Sequence, residues 1–475
     1  MSDRNITSRR KFIGQASCAG MGYMTFMNAL LNFKALNAAA ISNSSVNDYK
    51  AMVCILQAGG NDSYNMLIPR SNAKYNEYAA TRSNLAIPQG DILPIFPLNS
   101  DGHQYGVHPA MSGVQNLFNT GKLSFISNIG TLIGPLSKNQ YLNNNPSLPL
   151  GLFSHSDQIQ QWQTAILDER TVTGWGGKIA DLIGDQNNND RISMNITMSG
   201  TNIFQTGNNT IEFAIGREGS VGMSGYNPES GWLFEQLKTA AIDNIIEHNY
   251  QDIFKNTYAK TLVTARDNHN EFTEALNSVA SDFNSMADLT FNASNPVSQD
   301  LRMIAHTIAA QNALDFKRQI FFVTVGGWDH HDELLDTQQG MLGMLSDALS
   351  EFNTGLQMLN MEEQVLTFTI SEFGRTLTSN GDGTDHAWGG NVMAMGGNSF
   401  MNGQQIFGNF PSLVLEGESD IGDGVILPTT STDEYFAEIA RWFGVPNSDL
   451  GFLFPQLSNF YNIGSNNSPI GFLNI

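Results

Sequence analysis

The chain has 475 residues, with 45 acidic against 24 basic side chains and a formal net charge of −21. So acidic a chain is a poor partner for nucleic acid or an anionic membrane surface, and it suits the binding of cations. Its length accommodates one large α/β domain with insertions, or two domains.

Residues 1–40 have the marks of an export signal. Ser8-Arg9-Arg10-Lys11-Phe12-Ile13 is a charged start with paired arginines and a Phe two positions on; a mildly apolar stretch follows, and Asn37-Ala38-Ala39-Ala40 is a small-residue cleavage region. The expectation is a twin-arginine signal, with that export machinery as a partner and a periplasmic or extracellular location for a mature chain of residues 41–475. An ordinary secretory signal or an uncleaved anchor is the alternative. Cys18 lies in this segment and Cys54 is the other of the two cysteines, so the mature chain has no internal disulfide and no cysteine-based zinc site. No later segment is apolar and long enough to span a bilayer, and no stable membrane insertion is expected after cleavage.

Residues 51–58 (AMVCILQA) read as a buried strand closed by Gly59-Gly60. Pro109 suits the first turn of a helix over 109–119, and 122–129 (KLSFISNI) reads as a second strand. Residues 156–167 are helix-patterned, with Ser154 or Ser156 as the cap. Residues 185–230 are rich in Asn, Gly and Ser with short alternating runs, which predicts a small β-meander insertion. Long helical patterns follow over 232–285, broken once or twice, and over 297–317. Then come a strand at 319–325 (QIFFVTV), a helix at 333–359 and a strand at 364–370 (QVLTFTI). Strand, long helix, strand is a βαβ unit, so both strands should run parallel in one sheet with their C-terminal ends on one edge. That edge is where open α/β sheets place their sites.

Metal-capable side chains follow each of three strand ends. The first is followed by Gly59-Gly60-Asn61-Asp62, the second by Gly326-Gly327-Trp328-Asp329-His330-His331, and the third by Ser371-Glu372-Phe373-Gly374-Arg375. A glycine-rich loop then leads to Gly383-Thr384-Asp385-His386. Taken singly, each is equally a turn acid or a solvated histidine. Together Asp329, His331 and His386 point to a metal ion; adjacent side chains leave a strand in opposite directions, so only one of His330 and His331 should face the site. The sequence LFSHSDQ offers Ser154 as a nucleophile candidate, with His155 beside it, at a helix start that could equally be a simple cap. Arg375 could pair an anionic substrate or form a structural ion pair.

The segments GGNDSYNMLIP, FSHSDQIQQWQT, TGWGGKIAD, GGWDHHDE, SEFGRT, GTDHAWGG and ARWFGV occur in an order that resembles the bacterial domain-of-unknown-function 1501 family. That family is similar in turn to the alkaline phosphatase and sulfatase superfamily. The resemblance implies a doubly wound, mostly parallel α/β sheet with helices on both faces. It implies metal ligands at Asp329, His331 and His386 for one ion, with Asp62 and Glu372 holding or adjoining a second. Phe373 stands where the superfamily carries a His, so one ligand of a full two-metal site is missing. Cys54 is followed by Ile-Leu-Gln, which departs from the sulfatase signature. The functional expectation is an exported hydrolase of phosphate or sulfate esters, acting on a small anionic ester or a sulfated or phosphorylated glycan. Its cofactor is a divalent ion, zinc first, then manganese, magnesium or calcium. The alternative is a non-catalytic exported binding or assembly protein that keeps the fold.

Overall fold

The computed structural model describes residues 48–144 and 146–475, so the signal reading of residues 1–40 lies outside the described residues. The strands in chain order are β1 (Lys50–Ala58), β2 (Leu67–Pro69), β3 (Leu93–Ile95), β4 (Tyr105–Val107), β5 (Leu123–Gly130), β6 (Asn195–Thr197), β7 (Phe213–Gly216), β8 (Gly219–Ser220), β9 (Arg318–Gly326), β10 (Val365–Ile370), β11 (Gly390–Met395), β12 (Ile406–Phe407) and β13 (Thr430–Ser431). Ten of them form one sheet in the order β12-β5-β11-β10-β1-β9-β6-β7-β8, with β13 also paired to β5; β2, β4 and β3 make a small separate sheet. Within the large sheet only β11 and β8 run against the rest.

β1 lies between β9 and β10 and is parallel to both, with Ala58 beside Gly326 and Leu56 beside Ile370. The βαβ unit therefore closes around the first strand, and the three strand ends meet on one edge. β5, β10 and β11 are buried at every position and β1 at all but its ends, which requires cover on both faces of the sheet. Two groups of helices supply it. Helices Ser112–Asn119, Ile253–Thr290, Pro296–Ala309 and Leu334–Met358 pack on one another. Helices His155–Thr164, Trp175–Ile183, Thr432–Phe443 and Asn447–Leu453 form the other group, where Trp175 stacks on Phe436 and on Phe368 of β10.

Two element readings are corrected. The helix expected from residue 109 begins at Ser112, because 109–111 form a turn in which Met111 N bonds His108 O. The meander expected over 185–230 is instead an extension of the main sheet: β6 pairs parallel with β9, and β7 parallel with β6. Only β7 and β8 form an antiparallel pair. The connection from β6 to β7 can return in parallel because Phe204 anchors it, buried against Trp175 and Phe322.

Candidate metal centre

Four loops converge at the C-terminal edge. Gly59 has φ +126° and a Cβ there would lie 2.4 Å from Asp329 N, so only glycine lets the β1 turn lie against the β9 turn. Gly59 N donates to Glu372 Oε1 at 2.7 Å, which ties the β10 turn to the same point. The chain after β10 doubles back: Arg375 and His386 form an antiparallel bridge, Ala387 N bonds Gly374 O at 3.0 Å and Thr376 N bonds Asp385 O at 2.9 Å. Trp388 Nε1 donates to Thr131 O at 2.9 Å and pins the far end of this hairpin. His386 is thus held over the edge by backbone pairing. The fourth piece is the start of helix His155–Thr164, preceded by Phe153 in the left-handed region at φ +71°. That conformation is uncommon for a bulky side chain, and here the Phe153 carbonyl meets His386.

The polar geometry follows from these placements. Three imidazoles surround Asp329. His155 Nε2 lies 3.3 Å from Asp329 Oδ2, His386 Nε2 3.3 Å from Oδ1 and His331 Nε2 3.1 Å from Oδ1. Each ring has its Nδ1 against an acceptor: His155 against Glu372 Oε1 at 2.9 Å, His386 against Phe153 O at 2.9 Å, and His331 against Asp385 Oδ1 at 3.1 Å. The carbonyl and carboxylates can only accept, so each neutral ring carries its hydrogen on Nδ1 and turns the Nε2 lone pair toward Asp329. His331 Nε2 and His386 Nε2 are themselves 3.1 Å apart. Lone pairs and a carboxylate facing one another need a cation, or added protons, between them. Histidine whose second nitrogen is fixed by a carboxylate or carbonyl is the usual arrangement of a metal ligand. His155, Asp329 and His386 each offer a ligand atom within 4.8 Å of the others.

The charges agree with a divalent ion. Asp329, Glu372 and Asp385 contribute three carboxylates, and Arg375 one guanidinium, leaving two net negative charges among these groups. Burial alone would raise the Asp329 carboxyl, but the hydrogen bond and charge of Arg375, with His155 and His331, hold it below the usual carboxylate range. The Glu372 hydrogen bond outweighs burial and raises His155. Burial lowers His386, favouring its neutral form. The Asp329 side chain is 42% exposed and that of Glu372 fully buried, so the cluster opens to solvent on one side and is anchored on the other.

The residues singled out in the sequence divide accordingly. Asp329, His331, Glu372, His386 and His155 come together. Among the described residues Asp62 is not part of the converging group, and its carboxylate forms a fully buried ion pair with Arg82 instead. Arg375 is fully buried and donates to Asp329 Oδ1, Gly59 O, Thr384 Oγ1 and Thr384 O. It clamps three of the loops and positions Asp329. Ser154 bonds Ser156 Oγ at 3.2 Å and the Asp157 carboxylate, which satisfies its hydroxyl outside the cluster. His330 is buried away from the converging group. Sequence reading missed Arg82 and the Phe153 carbonyl, and named Asp385 only as the neighbour of His386, without a role. That spacing could have given Asp385 its role; the other two carried no signal.

The sequence profile described as "Protein of unknown function (DUF1501)" matches residues 49–420. No curated protein matches the chain. Nine solved chains match. One, the "Crystal structure of Ps i-CgsB in complex with k-i-k-neocarrahexaose", is 10% identical with a TM-score of 0.30, over 84% of this chain and 72% of that one. A similarity of that size carries no inference about this chain's chemistry.

Proposed function

The chain belongs to the DUF1501 family, and we propose that it is an exported hydrolase of phosphate or sulfate esters that depends on a divalent ion, on an alkaline phosphatase-like sheet. The observation that carries the reading is the convergence of three imidazole Nε2 atoms on Asp329, each ring fixed through Nδ1. His155, Asp329 and His386 would hold the ion, with His331 beside them and Glu372, Asp385 and the Phe153 carbonyl setting ring orientation. Imidazole and carboxylate donors suit zinc first, then manganese. Magnesium and calcium, which prefer all-oxygen sites, fit less well. When bound, the ion supplies Lewis-acid polarisation of an ester oxygen and stabilises developing negative charge. Arg375 keeps Asp329 ionised and fixed, and the exposed side of the cluster admits a small anionic ester or the sulfate or phosphate of a glycan.

A second reading, a non-catalytic exported binding or assembly protein, is favoured by one observation: Ser154 and Arg375, the two groups best suited to nucleophile and anion clamp, are both engaged elsewhere. The experiment is elemental analysis of the purified chain, followed by hydrolysis of an aryl phosphate and an aryl sulfate with and without chelator. Stoichiometric metal and chelator-sensitive turnover are expected. Metal without turnover favours the binding protein, and absence of metal ends the hydrolase reading.

A further inference from the structure

The helical hairpin far from the metal cluster in sequence has apolar faces turned outward. In helix Leu233–Ile246, Leu233, Phe234, Leu237 and Ile245 are 70, 76, 61 and 60% exposed. Successive helical residues advance by about 100°, so these four fall within an arc of roughly 120°. The buried residues of the same helix, Thr239 and Ile246, lie on the opposite side, where it packs against Ile253–Thr290. That second helix repeats the pattern one turn apart, with Phe254 83% and Tyr258 67% exposed. An apolar stripe at this spacing is the mark of a helix that packs on another helix. A monomer in water rarely leaves so much apolar surface open.

We infer that this face is the contact between two copies of the chain, the hairpin of each packing on its two-fold mate to form a four-helix arrangement. At about 200 Å² per large side chain, the six named residues leave on the order of 800 Å² open. That matches the roughly 800 Å² each partner gives to a stable interface. The charges nearby separate a second copy from a lipid surface. Glu235 and Asp252 are interspersed with Lys238 and Lys255, while Asp243 and Glu247 pair with Arg266 of the same chain. A membrane-lying helix needs a basic rim, whereas mixed signs can pair with themselves across a two-fold axis.

The test is the mass in solution of the purified full chain by sedimentation equilibrium or light scattering, over a range of micromolar concentrations. One copy is 52.0 kDa, and twice that mass is expected. The double substitution Leu237→Glu with Phe254→Glu, at solvent-facing positions, should return the mass to that of one copy, with circular dichroism and metal content unchanged. A wild-type chain that stays at single-copy mass overturns the inference, whether or not it binds anionic vesicles. So does a double variant that keeps twice the single-copy mass, because the contact would then lie elsewhere.

Discussion

His331 Nε2 and His386 Nε2 face each other at 3.1 Å, each with its Nδ1 already given to an acceptor. Neither ring in its neutral form has a hydrogen to place between them. Under the proposed function a shared cation would resolve the contact, and the same cation would answer the Asp329 carboxylate beside them.

If so, the groups behind the rings should set affinity. Glu372→Gln keeps an oxygen for Gly59 N and His155 Nδ1 but removes the charge that raises the basicity of His155. Metal affinity should fall by about 10–100-fold with the fold intact. His386→Ala should lose metal outright. Competition with a chromophoric chelator measures both, and wild-type affinity in either variant would count against the cluster as a metal centre. Binding should also weaken as pH falls, since His155, whose pKa is raised, holds its proton to a higher pH than an ordinary histidine.

The buried pair of Asp62 and Arg82 predicts a different phenotype. Both side chains are fully buried, and Arg82 also donates to the carbonyls of Thr376 and Leu377. Arg82→Met leaves a carboxylate without its counter-charge and should cost about 3–5 kcal/mol. Asp62→Asn should likewise lower the urea midpoint while metal content stays at the wild-type level. Loss of metal from a folded Asp62→Asn protein would return this residue to the ligand set.

Glycine at 59 is required by geometry, and a neighbouring glycine provides the control. Gly59→Ala must accommodate both a positive φ and a Cβ pressed on the Asp329 backbone, together about 2–5 kcal/mol. Because the strain falls on Asp329, metal affinity should drop with stability. Gly326, at the end of β9, has open space where its Cβ would be, and Gly326→Ala should change stability by no more than about 0.5 kcal/mol. Equal effects of the two substitutions in chemical denaturation would refute this account of the turn.

The strands were legible because a sheet buried on both faces writes itself as continuous apolar runs: residues 319–325 fall within β9, and residues 364–370 cover β10, which starts one residue later at Val365. Order along the chain also placed Asp329 and Glu372 on one edge. Three things could not be read. The position of β1 between β9 and β10 depends on long-range pairing. The Asp62 pair depends on Arg82, which closes helix Asn72–Arg82 and looks in sequence like an ordinary cation at a helix C-terminus. The role of His155 depends on a local left-handed turn at Phe153, a residue that gives no hint of it. Patterning reports which face is buried; it does not report which polar groups meet across loops.

A last prediction concerns Asp433, in the first turn of helix Thr432–Phe443. Its carboxyl is fully buried; Oδ2 accepts from Gln456 N at 3.0 Å, and Oδ1 has no hydrogen-bond partner. Burial, helped by the charge of Glu434 and opposed by the backbone bonds, pushes its pKa from 3.8 up to about 8. The folded chain therefore binds this proton more tightly than the unfolded one. The contribution is fully present below about pH 4 and declines as pH rises, until it is lost above about pH 8. Glu434 and Glu438 are raised in the same direction, mainly by burial, and add to the slope. Asp433→Asn keeps an acceptor for Gln456 N and cannot ionise. Its stability by urea unfolding should fall less than that of the wild type between pH 6 and pH 9, with the two chains converging toward acid pH. Parallel curves across that range would mean that Asp433 is ionised in the folded protein and that its oxygens are better satisfied than the buried geometry indicates.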